Sequence, residues 1–261
     1  MTDLLEALLA DLAAEGDVLD AAVATLPEEG WRTPTPAAGW DVATQIAHLA
    51  WTDEVAITAA TDKAGWDALV LEAIEDPLGY VDKCALSGGA VPPAELLARW
   101  RGARADLVTT LRAVPDGEKL PWFGPPMSPT SMGTARFMET WAHSLDVHEG
   151  LGLTYEVTDR IKHVAHLGVR TRAYSFINRG LDVPAGDVRV ALTAPSGETW
   201  TFGPEEAPES VTGSAYDFCR LVTQRVHRDD TDLVASGEGA SAWLDIAQAF
   251  AGPAGAGRAA S

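Results

Sequence analysis

Four stretches within the first 150 residues carry their apolar side chains at helical spacing, and this restricts the fold more than any other feature. In residues 2–26, Leu4, Leu5, Leu8, Leu12, Leu19, Val23 and Leu26 form the stripe of an amphipathic helix. The Pro- and Gly-rich run "PEEGWRTPTPAAGW" breaks the pattern before a second helix near 41–61, with Asp41 as its N-cap. A weaker helical piece follows Gly65-Trp66. A third long helix spans 94–113 and stops at the Pro115-Asp116-Gly117 turn, and a fourth spans 131–149. Helices that each have one stripe to bury pack most simply as a bundle. The loop 115–130, rich in Pro, Gly and aromatics such as Trp122 and Phe123, is long for a plain connection and is expected to border a pocket.

The second half changes period. Residues 159–179 read as a fifth helix that ends at Gly180. After 185, "DVRVALTAP" alternates with period two, turns at Ser196-Gly197 and pairs with "ETWTFG" as a hairpin. A short strand through Glu209–Thr212, a helix opened by Gly213 and running to about Gln224, and a strand, Gly-rich turn and final helix in "DLVASGEGASAWLDIAQAF" complete the pattern. The expected fold is mainly α. Residues 1–155 form a helical bundle, 156–184 a connecting helix, 185–252 a smaller α+β domain and 253–261 a flexible tail.

Charge narrows the partners. The 38 acids against 19 bases give a formal net charge of −19, which repels phosphate backbones and anionic membrane surfaces. No apolar stretch approaches the ~20 residues of a membrane span. The acidic opening "MTDLLEALLADLAAEGD" lacks the basic region of a signal peptide, so a cytoplasmic protein is expected. Only two cysteines occur, Cys84 and Cys219, in no metal-binding pair, and neither is assigned a catalytic role.

Ionisable residues stand out in the fourth helix, "RFMETWAHSLDVHEG". Residues four apart lie about 40° from one another around a helix, so Glu139 and His143 share a face, with Arg136 one turn before and Asp146 one turn after. His148 lies about 140° round from His143 and faces elsewhere. A Glu-x-x-x-His pair offers a metal one carboxylate oxygen and one imidazole nitrogen from a single rigid element. Two ligands hold a metal poorly, and His48 in the second helix offers a third. Three ligands leave an open coordination position, which a catalytic metal needs. Asp146 is placed to orient the His143 imidazole. The competing reading is an exposed helix face laced by salt bridges, which the alternating charges of Arg136, Glu139, His143 and Asp146 fit equally well. Spacing alone does not choose between them.

"GWDVATQIAHL" followed by "ARFMETWAHSLDV" resembles the metal-binding N-terminal domain of mycothiol-dependent maleylpyruvate isomerases, within the DinB-like superfamily. That resemblance implies a bundle holding a divalent ion, usually zinc, on His48, Glu139 and His143, where it activates the sulfur of a low-molecular-weight thiol. "GSAYDFCRLVTQR" resembles the small C-terminal domain of these isomerases, and the C-terminal region is similar to an actinobacterial branch of the family. Arg225 is then the arginine expected to reach the active site and pair with a substrate carboxylate. His148, just past the ligand pair, departs from the family pattern, as a substituted ligand or a second proton-transfer group.

Three functions fit these residues. The first is a metal-dependent isomerase or S-transferase that uses a mycothiol-like thiol on a small unsaturated substrate. The second is a thiol-independent metal-dependent lyase, hydrolase or cyclase. The third is a metal- or metabolite-binding protein without chemistry.

Overall fold

The computed structural model describes residues 3–261, which divide into two compact units, one ending at Tyr155 and the other spanning Glu156–Ser261. In the first unit, α1 (Asp3–Val23), α2 (Val42–Thr61), α3 (Lys63–Glu75), α4 (Tyr80–Gly89), α5 (Pro93–Ala113) and α6 (Pro129–Gly150) follow in order. The long helices α1, α2, α5 and α6 pack as a four-helix bundle, with α3 and α4 set against α2. The chain is mainly α, as its apolar periodicity predicts.

Local chemistry places the two helices that matter most. Asp41 caps α2 by accepting the Thr44 N–H at 2.8 Å. Ser128 caps α6 by accepting the Ser131 N–H at 3.1 Å, and Pro129 supplies a first-turn residue that has no N–H to satisfy. Leu19, Val23, Trp31, Ile46, Leu49, Trp100 and Val147 meet in one buried cluster of the bundle. Helix α2 is buried on nearly all sides, so a polar residue at its centre is enclosed by protein.

The sequence reading needs correction between α2 and α5. One weak helical piece was expected and "SGGAVPP" was expected to be loop, yet α4 runs through Ser87-Gly88-Gly89. Gly89 packs closely on α2: a Cβ there would lie 3.1 Å from the Thr44 backbone N. Close helix contact here outweighs glycine's low helix propensity.

The second unit opens with a 3-10 turn at Asp159–Ile161, then α7 (Lys162–Arg170) and α8 (Arg172–Ile177), so the expected single helix is broken at Thr171. Strands β1 (Val188–Thr193), β2 (Thr199–Phe202), β3 (Glu209–Ser214) and β4 (Val234–Ser236) form one sheet in the order β2-β1-β3-β4. The β1–β2 hairpin is antiparallel, with Leu192 opposite Trp200. β1 and β3 are parallel, with Val190 opposite Val211. Helices α9 (Ala215–Val222) and α10 (Glu238–Ile246) cover this sheet, and Phe218 meets Trp243 edge-on with ring centroids 5.7 Å apart. Ser214, not Gly213, caps α9, and its hydroxyl accepts the Tyr216 N–H at 3.1 Å. The tail expected to be loose carries no regular secondary structure, yet it is tied down: Arg179 Nη2 donates to Gly255 O at 2.8 Å and the Ser261 hydroxyl to Asp230 at 2.7 Å. Among the described residues, no helix is long and apolar enough to cross a membrane.

Candidate metal centre

His48 from the middle of α2 and Glu139 and His143 from α6 converge inside the first unit. Their ligand-type atoms all lie within 4.8 Å of one another. Glu139 Oε2 sits 3.1 Å from His143 Nε2 and 3.5 Å from His48 Nε2, and the two imidazole centroids are 4.6 Å apart. Both histidines are buried and Glu139 is half-buried. Burial by itself pushes the Glu139 carboxyl up. Hydrogen bonds and charge from His143 and His48 outweigh it and hold the group well below its ordinary range, as a carboxylate.

The exposed-face reading of α6 fails on burial. Arg136, His143 and Asp146 are all enclosed, and Arg136 donates from Nε to Asp53 of α2 at 2.8 Å with both side chains almost fully buried. Burial raises the Asp53 carboxyl, and the Arg136 charge and hydrogen bond only partly oppose that.

Asp146, expected to orient His143, is buried in the same helix, and Gln45, one turn before His48, meets that imidazole directly. His143 Nδ1 meets Gln45 Oε1, while its Nε2 faces Glu139. Because an amide oxygen can only accept, this contact assigns a proton to Nδ1 and leaves Nε2 as the ring atom that faces Glu139. Gln45 is held in turn: its Nε2 donates to the Thr35 hydroxyl at 2.8 Å, and that hydroxyl donates to Trp40 O at 2.9 Å. The Trp40 ring stacks over His143 at 5.8 Å and 16°, and lies 5.2 Å from His48. Gly150 lets this loop close on the end of α6, because a Cβ there would lie 2.8 Å from Pro34 O. Trp40 and Gln45 were not singled out from the sequence. Their only trace there is the "GW" before the cap and the i,i+3 spacing of Gln45 to His48.

His148 is not brought to the cluster. Its Nδ1 lies 2.8 Å from Ser144 O, and its ring packs edge-on against Tyr155 at 5.3 Å. The group of ligand atoms thus comprises His48, Glu139 and His143 without His148. Arg225 lies beyond the end of α9 in the second unit, half-buried, with Nη1 donating to Thr223 O at 2.6 Å. The preceding Gln224 has φ of +60°, a left-handed turn rare for a non-glycine residue. Burial pushes both thiols up, Cys219 far above its ordinary value, so neither cysteine is a ready nucleophile. The loop 115–130 brings Trp122 and Phe123 onto Trp66 of α3, at 6.1 and 5.0 Å between ring centroids.

Two imidazole nitrogens and one carboxylate oxygen, from two helices fixed by capping and by a buried ion pair, form a donor set that fits a borderline divalent ion. The outer contact from Gln45 to His143 has the form found around metal-bound histidines.

The family model for the mycothiol maleylpyruvate isomerase N-terminal domain matches residues 12–148, and a second one, described as wyosine base formation, matches residues 184–236. Two proteins of Mycobacterium tuberculosis, from strains H37Rv and CDC 1551 and both described as uncharacterized, are each 57% identical to this chain over 250 residues. The alignment spans 96% of this chain and 97% of theirs. The crystal structure of a mycothiol-dependent maleylpyruvate isomerase matches with a TM-score of 0.60 at 16% identity, over 90% of this chain and 96% of that one. A histidine-to-alanine mutant of that enzyme matches with the same TM-score at 15% identity, and both likenesses are of fold. On the family match to more than half its length, together with its bundle, this chain belongs to the mycothiol maleylpyruvate isomerase N-terminal domain family.

Proposed function

We propose that this chain is a divalent-metal-dependent enzyme that activates a mycothiol-like thiol for isomerisation of, or transfer to, a small unsaturated substrate bearing a carboxylate. The convergence of His48, Glu139 and His143 on one point carries this assignment. These three side chains would hold a divalent ion, zinc by the chemistry of the donors, which would supply the Lewis acidity that lowers a thiol's proton affinity towards neutral pH.

The protein's own groups do the rest. Glu139 contributes the negative charge of the donor set, and its depressed proton affinity keeps it ionised at neutral pH. Gln45 fixes the tautomer and ring orientation of His143. Trp40 covers one side of both imidazoles and shields them from water. In isomerisation, the thiolate sulfur adds to one carbon of a conjugated double bond, and the electron pair moves onto the adjoining carbonyl oxygen. Rotation about the new single bond follows, and collapse of that enolate expels the sulfur with its electron pair. No atoms are gained or lost. Where the enolate is protonated before expulsion, the product is a thioether and the reaction is a transfer. Arg225 is assigned as the clamp for the substrate carboxylate, because a guanidinium binds that group in bidentate fashion.

Elemental analysis of the purified protein tests the assignment. About one ion per chain is expected, falling sharply in His48→Ala, Glu139→Ala and His143→Ala. Equal metal content in all four proteins overturns the site. Calorimetric titration with mycothiol then separates the chemistries: saturable binding to metal-loaded protein supports thiol use, and its absence in protein of full metal content leaves a thiol-independent hydrolase or lyase.

A further inference from the structure

A cavity of about 300 Å³ lies between α1 and α5, and the proposed chemistry makes no use of it. Its wall comes from Leu12 and Gly16 of α1 and from Trp100 and Leu107 of α5, and it reaches Asp53 of α2 and Thr140 of α6. Arg104 straps it: its guanidinium lies 5.2 Å above the Trp100 ring, Nη1 donates to Ala13 O at 3.3 Å, and Nη2 pairs with Asp17 at 2.9 Å. Gly16 makes room for that strap, since a Cβ there would lie 2.6 Å from Arg104 Nη1.

Two buried donors, one on the cavity wall and one on a side chain bonded to a wall residue, have no acceptor among the described residues. Trp100 is fully buried and its indole N–H is unpartnered, and Arg136, which holds Asp53 through Nε, leaves Nη2 unpartnered. Buried donors of this kind are normally satisfied, and each one left bare costs about 1–3 kcal/mol. The charges around the cavity are already offset: Asp53 by Arg136, and Arg101 and Arg104 by Asp20 and Asp17. A net charge has no counter-ion to find here, whereas a hydrogen-bond acceptor does.

We propose that this cavity is a second small-molecule site, taking a neutral, largely apolar ligand whose single carbonyl-type oxygen accepts from the Trp100 indole N–H. Its volume is at the lower end of small-molecule pockets, which suits a ligand of about ten heavy atoms. The site is separate from His48, Glu139 and His143, so it stands whether or not they hold a metal.

Acetophenone and α-methylstyrene have the same outline, and only the first carries an acceptor oxygen. Titration of each into the ¹⁵N-labelled full chain is read at the Trp100 indole resonance, identified by its loss in Trp100→Phe. Acetophenone shifts that resonance saturably and binds about fivefold more tightly than α-methylstyrene, the worth of one hydrogen bond. In Trp100→Phe the preference disappears, and in Ala105→Trp, a change at the exposed mouth, both compounds lose binding. An indole resonance unmoved by saturating acetophenone means that the cavity holds water only and overturns the assignment. So does undiminished binding to Ala105→Trp.

Discussion

Two sets of charged side chains in the bundle look alike in sequence and behave oppositely in the fold. Along the α1–α5 seam, Glu6 pairs with Arg112 at 2.9 Å, Asp17 with Arg104 at 2.9 Å and Asp20 with Arg101 at 2.5 Å, all at least partly in solvent. Between α2 and α6, Arg136 pairs with Asp53 at 2.8 Å with almost no exposure, one turn from Glu139. Exposed pairs exchange water for one another at little gain. The enclosed pair has lost its water already, so each partner depends on the other. Charge spacing along a helix thus says nothing about energy until the neighbouring helix is known. That neighbour turns the α6 stripe from a solvated face into an enclosed cluster.

Removing one buried partner breaks the contrast hardest. Arg136→Met strands the Asp53 carboxylate and is expected to cost about 3–5 kcal/mol in urea unfolding at pH 7. Adding Asp53→Leu should recover most of it, since the apolar pair needs no water. The pH dependence has a definite sign. Asp53 already sits above its ordinary value, so its protonated form favours the folded state. Stability of Arg136→Met should therefore rise as pH falls from 7 towards 5. A Gln45→Leu change tests the next layer: metal affinity is expected to fall by about ten- to a hundredfold, measured by competition with a chelator, with the fold intact by circular dichroism. The exposed seam gives the smallest effect. Arg101→Ala should cost about 0.2–1 kcal/mol at pH 7. The Arg101 hydrogen bond holds Asp20 below its ordinary value, so that stabilisation exists above the usual carboxylate range and fades as acid protonates Asp20. The wild-type and Arg101→Ala unfolding curves should therefore converge at low pH. A cost for Arg101→Ala equal to that of Arg136→Met would erase the distinction between seam and core.

The long helices were legible because apolar side chains recur every three to four residues whatever surrounds them, and the cap Asp41 acts through its own backbone neighbour. Helix α4 was hidden because its Ser-Gly-Gly end is chosen for contact with α2 and not for helix propensity. The break at Thr171 and the left-handed Gln224 were hidden too, since both answer to tertiary packing.

The candidate site divides in the same way. Glu139 and His143 share a face by helix geometry alone, so their pairing is written in four consecutive steps of the chain. His48 joins them from 91 residues away, Gln45 meets His143 from 98, and Asp53 meets Arg136 from 83. Sequence by itself determined which residues could be helical neighbours, because that depends only on the period of the backbone. Tertiary structure alone decided which of them lost their water and found each other, because burial and pairing across helices exist only once the bundle has closed.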